Sequence, residues 1–238
     1  MNEMEKLSDA LKYFGCDPEK EILSAFELYM KRVLEWNEHV NLTAIRQSDE
    51  FVEKHFIDSL CCISDDRWKS AKTVVDIGTG AGFPGIPLAI VSPEKEFLLV
   101  DSLNKRIKII TEIIGELGLK NVTAIHGRAE ELARMKQYRQ KFDVCVSRAV
   151  SRLSVLSEYC LPFIRRDGWL IAYKGPEAER EVKDAARALK ILGGSVEDIE
   201  ETHMEEYGLF HKIVYIKKIK DTSANYPRKA GTPERQPL

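Results

Sequence analysis

Between Val74 and Ile90 the chain reads VVDIGTGAGFPGIPLAI: an apolar β-branched run, an acid, four glycines threaded through a turn, and an apolar segment of helical character. Nothing else in the 238 residues restricts the fold so strongly. A strand delivered into a helix through a glycine-rich turn is the opening unit of a parallel α/β sheet that binds its ligand at the turn. Glycine lacks a Cβ, so the backbone can approach a ligand closely and adopt positive φ, at an entropic cost of about 0.5–1 kcal/mol per residue. A bare strand-to-helix turn, the plain alternative, does not require four of them.

The turn can be read in two registers. From Gly80 it contains G-x-G-x-x-G as Gly80, Gly82 and Gly85, with Asp101 about twenty residues on, as a dinucleotide site requires. A dinucleotide loop, however, places its first glycine at the end of the strand. Here Gly78 and Thr79 intervene, and the strand ends near an acid that would face pyrophosphate. From Asp76 the pattern is acid-x-Gly-x-Gly-x-Gly, the spacing of class I methyltransferases that bind S-adenosylmethionine. That cofactor has no pyrophosphate, and an acid near its α-ammonium group supplies complementary charge, directly or through water. Asp101 closes the next strand, where a carboxylate can accept hydrogen bonds from both ribose hydroxyls; this supports a nucleoside without choosing between the two cofactors.

The pattern beyond the turn alternates short β-branched runs with longer amphipathic ones, the signature of βαβ units. Strands are expected at 73–77, 96–101, 121–126, 142–147 and 168–174, with helices between them. The helix EAEREVKDAARALKIL should stop at Gly193 and Gly194. SVEDIEETHM and HKIVYIKKIK have strand-like alternation with no helix between, which suits an antiparallel hairpin at a sheet edge. Ahead of the sheet, Phe26, Tyr29, Met30, Val33, Trp36 and Val40 fall on one helix face. Ser48 followed by Asp49 and Glu50 reads as an N-cap opening a second helix through Phe51, Val52, His55, Phe56 and Leu60. The expected fold class is therefore α/β, a Rossmann-like class I methyltransferase with a mostly parallel sheet and an antiparallel edge hairpin, carrying an N-terminal helical extension. Its parts are the extension (1–70), the methyltransferase domain (71–222) and a basic, irregular C-terminal arm (223–238).

An apolar fraction of 44% and a charged fraction of 31% are those of an ordinary soluble protein. No apolar run is long enough to span a bilayer, and MNEMEKLSDALKYFG lacks the basic-then-apolar order of a signal peptide, so a cytoplasmic protein is expected. The cysteines Cys16, Cys61, Cys62, Cys145 and Cys160 show no metal-ligand spacing and read as reduced, with no metal site. A net charge of -2 confines any nucleic-acid contact to a local basic surface.

Ligands of such sheets bind beyond the carboxyl ends of the strands, so the residues closing strand four, Ser147 to Val150, face the reacting group. They lack the Asn/Asp-Pro-Pro-aromatic cluster that holds an exocyclic amine. Cys145 lies inside the strand between Val144 and Val146 and reads as core rather than as the nucleophile of cytosine methylation. Arg148, always charged, is hard to explain as packing; it could hold a cofactor carboxylate, a phosphate or a guanine edge, against the alternative of a surface ion pair. His55 and Asp58, three residues apart on a helix, can be read as a catalytic or metal pair, but a lone histidine on a largely apolar helix is more often a satisfied core residue.

WNEHVNLTAI (36–45), KHFIDSL (54–60), DIGTGAGFPGIPLAI (76–90), GRAEELA (127–133), FDVCVSRAV (142–150) and YPRKAGTPERQPL (226–238) together make the chain similar, over nearly its whole length, to the bacterial ribosomal RNA small subunit methyltransferase G family, also called glucose-inhibited division protein B. The resemblance implies methyl transfer from S-adenosylmethionine to N7 of one guanosine in 16S ribosomal RNA, within the small subunit or its precursor. Matched residue by residue, it implies cofactor contacts at Gly78 and Phe83, at Ala129 and Glu130 near the adenine edge, and at Arg148. Gly80 and Asp101 join them from the reading of the turn. It also implies that the helix carrying HFIDSL borders the active site. Guanine N7 has a free lone pair, so no catalytic base is assigned and Arg148 is the positioning candidate. RNA contact is expected from Lys217, Lys218, Lys220, Arg228, Lys229 and Arg235, with Lys174 and Arg165 as additions, although any one of these can equally be a solvated surface charge. A methyltransferase of a small molecule or protein, a non-enzymatic nucleotide-sensing module and an NAD oxidoreductase remain as alternatives.

Overall fold

A computed structural model describes residues 2–202, 207 and 210–238. The chain opens with α1 (Glu3–Tyr13), whose first turn is closed by a reciprocal capping box between Asn2 and Glu5, and α2 (Lys20–Asn37), which buries Phe26, Tyr29 and Val33 as the apolar stripe predicts. Asn37 ends α2 by accepting the amides of Leu42 and Thr43. The next helix is continuous but not uniform: α3 (Ser48–Phe51), a single π-helical turn over Val52–Ile57, and α4 (Asp58–Leu60). Ser48 is not its cap. Gln47 holds that position without a side-chain bond, and the Ser48 hydroxyl instead donates to Glu3 at 2.5 Å, tying the helix to α1. A short helix, α5 (Asp66–Lys69), leads into the sheet.

The sheet region runs β1 (Thr73–Ile77), α6 (Gly85–Val91), β2 (Glu96–Asp101), α7 (Asn104–Glu116), β3 (Val122–His126), α8 (Ala129–Leu132), β4 (Phe142–Arg148), α9 (Leu153–Cys160), β5 (Ile164–Lys174), α10 (Ala178–Leu192), β6 (Gly194–Glu201) and β7 (Lys212–Lys218). The first two strands have the expected bounds; β5 begins four residues before the expected Gly168, because Ile164 already pairs with Phe142 across a bulge. Gly193 ends α10 with φ +87°, the left-handed cap expected of it. The seven strands lie in the order β3-β2-β1-β4-β5-β7-β6, parallel except that β7 runs antiparallel to both neighbours. The edge hairpin is thus present, and its expected strand residues His203 and Met204 lie outside the described residues. Strand order reverses between β1 and β4, so a crevice opens at their carboxyl ends.

Alternation along the strands fills two cores. Val74, Phe97 and Leu99 pack on one face with Leu7, Leu11, Phe26 and Phe56 of the N-terminal helices, so residues 1–70 share a core with the sheet. Val75, Ile77 and Cys145 point to the other face and meet α9 and α10. The arm after β7 is irregular except for α11 (Thr232–Arg235), yet it is pinned. Arg139 donates to the carbonyls of Thr222 and Tyr226, and Arg228 forms a two-pronged pair with Glu158 of α9, an acid with no exposed surface.

Candidate active site

The glycine turn takes the backbone its composition allows. Gly78 has φ +76°, and a Cβ there would stand 2.4 Å from a methyl of Val150. At Gly82 (φ +106°) a Cβ would meet the Tyr29 hydroxyl of α2 at 2.6 Å. That hydroxyl donates to the Ala81 carbonyl at 2.8 Å, so a helix of the extension braces the turn from behind. Asp76 is fully buried beneath it: one carboxylate oxygen accepts the Gly85 amide at 3.0 Å, and the other has no hydrogen-bond partner among the described residues. Burial pushes the Asp76 carboxyl up to about 7.

A cavity at the carboxyl ends of β1, β2 and β3 brings together Gly78, Asp101, Ala129 and Glu130, walled by Val150 and Tyr159. Asp101 accepts the amides of Gly80 at 3.0 Å and Leu103 at 2.8 Å, which fixes its carboxylate at the mouth of the turn. Gly80 therefore contributes through Asp101 and is not itself on the wall. One oxygen of Glu130 accepts the Gly231 amide at 2.9 Å, so the C-terminal arm reaches the cavity.

Arg148 lies on a second cavity, of about 270 Å³, lined by Lys54, His55, Asp58, Arg148, Lys174 and His211 among others, with Phe83 packed behind His55. Phe83 is only 6% exposed and stacks on His55 at 4.3 Å and 15°, with the Arg148 guanidinium 5.2 Å from its ring. Phe83, implied by the resemblance as a cofactor contact, is not on the wall of the first cavity; its ring supports His55. Arg148 donates to Asp58 at 2.5 Å, to the Lys54 carbonyl at 2.9 Å and to His55 Nδ1 at 3.1 Å. A guanidinium only donates, so Nδ1 of His55 accepts and Nε2 carries the proton toward Thr43 Oγ1 at 2.6 Å. Burial, and then the charge of Arg148, push the His55 imidazole down to about 3, keeping it neutral. Asp58 is buried and accepts from Arg148 on one oxygen and from His211 Nδ1, at 2.7 Å, on the other. Burial opposes its ionisation, but these two partners hold it below the usual carboxylate range.

Arg148, Ala149 and Val150 divide the two cavities. Ala149 has φ +56°, uncommon for a residue with a Cβ, and this turn sends Arg148 to one side and Val150 to the other. Sequence reasoning placed Ala149 at the site without its left-handed turn, since alanine carries no turn signal, and did not find His211, which lies 153 residues from its partner Asp58. Cys145 is fully buried in the core, where burial and its neighbour Cys160 raise the thiol, as a packing residue should.

Several expected RNA contacts are corrected. Lys218 has no exposed surface; its ammonium donates to the Leu161 carbonyl at 2.6 Å and to Thr222 Oγ1, and burial pushes it down to about 7. Lys217 pairs with Trp169 in register, at the amino-terminal edge of the parallel strands and opposite the cavities, and Arg165 at the start of β5 is tied to Asp143 there. Arg228 is committed to Glu158, and Lys174 to Glu181 and the Ser151 carbonyl. Lys220, Lys229 and Arg235 are exposed, the last two on the arm that reaches Glu130. Among the described residues no group of His, Cys, Asp and Glu converges as a metal site does, and no helix is long and apolar enough to cross a membrane.

The first cavity fits the cofactor that the glycine turn suggests. Two carboxylates, Asp101 and Glu130, line it, which suits ribose hydroxyls and an amine and opposes a pyrophosphate. The unpartnered oxygen of Asp76 beneath the turn fits a cationic ligand above it. Comparison with known proteins agrees. The family profile described as rRNA small subunit methyltransferase G matches residues 22–210. The ribosomal RNA small subunit methyltransferase G of Clostridium botulinum (strain Eklund 17B / Type B) is 49% identical over 224 residues, 94% of each chain. That of Clostridium perfringens (strain 13 / Type A) is 46% identical over 235 residues, 99% of this chain and 97% of the other. Among solved structures, M. jannaschii TYW2 in complex with AdoMet superposes with a TM-score of 0.54 at 17% identity, covering 74% of this chain and 80% of that one, and shares its fold.

Proposed function

The chain belongs to the rRNA small subunit methyltransferase G family, and on that premise we propose that it transfers a methyl group from S-adenosylmethionine to N7 of one guanosine in 16S ribosomal RNA. The observation that carries the reading is the placement of the two cavities. The cavity lined by Asp101 and Glu130 and the cavity of Arg148 and His211 open on either side of the single segment Arg148–Ala149–Val150, so donor and acceptor can meet at the end of β4.

In this reading Asp101 holds the ribose, Ala129 and Glu130 face the adenine, and Gly78 lets the backbone approach the ligand. Asp76 supplies charge under the turn. The bound cofactor contributes a methyl group made electrophilic by its sulfonium. N7 needs only alignment and the exclusion of water, since its lone pair is already free. The second cavity agrees with that demand: His55 is neutral with both ring nitrogens engaged, and Asp58 is spanned by two donors, so neither is poised to remove a proton. Arg148 positions the acceptor side while tied to Asp58.

We assign the extension (1–70) to bracing the glycine turn, the central unit (71–222) to both cavities, and the arm (223–238) to RNA contact near the cofactor. Lys229 and Arg235 carry that contact, joined by the exposed Lys54, Arg128 and Arg152 near the cavities. A cytoplasmic enzyme acting on the small subunit or its precursor is the setting this implies. The target base must be unpaired or unstacked to enter. The test is to incubate the protein with methyl-labelled S-adenosylmethionine and small subunits from cells lacking it, then digest the RNA to nucleosides. Label in 7-methylguanosine is the expected result; label in another nucleoside, or none while the cofactor binds, contradicts the proposal.

A further inference from the structure

His211 is the one side chain on the second cavity whose arrangement the reaction as described leaves unused. It stands at the start of β7, on the edge hairpin, and its imidazole is 41% exposed. Nδ1 is committed to Asp58 at 2.7 Å, which fixes the ring plane and leaves Nε2 without a hydrogen-bond partner among the described residues, on a side chain that lines the cavity. The neighbouring donors are more heavily engaged: three of the five N–H groups of Arg148 are taken, and the ammonium of Lys174 is held by Glu181 and Ser151.

A guanine presented for methylation at N7 must leave that nitrogen bare, so a site on its Hoogsteen edge can hold only the adjacent O6, an acceptor. Adenine carries an amine at the same place. We propose that protonated His211, oriented by Asp58, donates from Nε2 to O6 of the target guanine and so both positions N7 and selects guanine over adenine. This rests on the second cavity being the seat of the acceptor base.

The groups facing His211 decide which protonation state it brings. Asp58 favours the imidazolium, Arg148 opposes it, and the ammonium groups of Lys54 and Lys174 and the neutral His55 stand around the same cavity, with Lys212 beside His211 on its own strand paired to Glu179 and Glu201. The hydrogen bond to Asp58 prevails over burial and raises the imidazole above its ordinary value. A raised value means that the donor is fully present at acid pH and is lost as pH rises through it.

The experiment is single-turnover methylation of unmodified small subunits at saturating cofactor, across pH 6 to 9, for wild type, His211→Ala and His211→Arg. Cofactor affinity and thermal melting are measured alongside. The wild-type rate should fall about tenfold per pH unit on the alkaline side. His211→Arg, whose donor does not titrate, should keep the rate and lose the alkaline limb. His211→Ala should lower kcat/KM about tenfold or more at pH 6 with unchanged cofactor affinity and melting. An alkaline limb retained in His211→Arg, or full activity in His211→Ala, overturns the proposal. If wild type methylates no RNA at any pH, the reading of the activity itself fails, and this inference with it.

Discussion

At the scale of single residues, the two buried acids of the first strand pair behave differently because their partners differ. Asp101 is fixed by two amides at the cavity mouth, so its loss removes a support of the turn and, in the proposed reading, the ribose acceptor. Asp101→Ala should weaken S-adenosylmethionine binding by at least about tenfold in calorimetry, the worth of one charge-assisted hydrogen bond. Asp76 has an oxygen without a partner and a carboxyl raised to about 7, so ionising it in the free protein is unfavourable and folding stability falls as pH rises from the ordinary carboxylate range toward that value. A cationic ligand relieves this. The increase in melting temperature caused by the cofactor should therefore grow between pH 6 and 8 in wild type and stay constant in Asp76→Asn; equal behaviour of the two would place the ligand's charge elsewhere. Asp58→Asn should leave cofactor affinity unchanged but reduce methyl transfer at least about tenfold, because Arg148 and His211 lose the carboxylate that orients both. That Gly78, Asp101 and Glu130 come together at one cavity was legible because a turn and two strand ends announce themselves locally. His211 and Thr43 were not: their partners Asp58 and His55 are set by the fold, and no spacing records the meeting. Glu158 left a trace that could have been read, the single charged residue in the run LSVLSEYCLPF.

At the scale of elements, periodicity gave the strands and long helices, and it failed where side chains bonded across elements. The Ser48 hydroxyl went to Glu3 rather than to its own helix, and the π turn after Phe51 has no signature in an apolar stripe. That turn brings His55 against Phe83 and Asp58 beneath Arg148. The C-terminal arm shows the same limit: its prolines and glycine suggest an irregular segment, yet buried acids fasten it to α9 and α8. Removing one partner from a buried ion pair leaves the other charge uncompensated, so Arg228→Ala should lower stability by about 2–3 kcal/mol in denaturant melts, somewhat under the fully buried case because the arginine is partly exposed. Truncation before Tyr226 should reduce cofactor affinity as well as RNA binding, because Glu130 loses the Gly231 amide. Unchanged cofactor affinity after truncation would show that the arm serves RNA alone.

At the scale of the whole molecule, the strand order sets function. The reversal between β1 and β4 opens one crevice, the glycine turn fills its β1 side, and the Ala149 turn splits it into two cavities. The N-terminal helices complete the second cavity from one side and the edge hairpin from the other, which is why the first cavity, built from a turn and strand ends with local signals, could be read and the second could not. Lysines expected to meet RNA fell at the far end of the sheet because β7 runs antiparallel, carrying Lys217 and Lys218 away from the crevice while bringing His211 into it. The measurement that tests the account most directly uses the chemistry of the product. Guanine methylated at N7 becomes open to reduction and strand cleavage, so 16S ribosomal RNA from cells lacking this protein, and from the same cells supplied with wild type or Asp101→Ala, can be treated and mapped by primer extension. A single guanosine cut that appears with wild type and is absent or strongly reduced with Asp101→Ala is the predicted result. The same RNA uncut in the presence of wild type, or cut without it, would contradict the account.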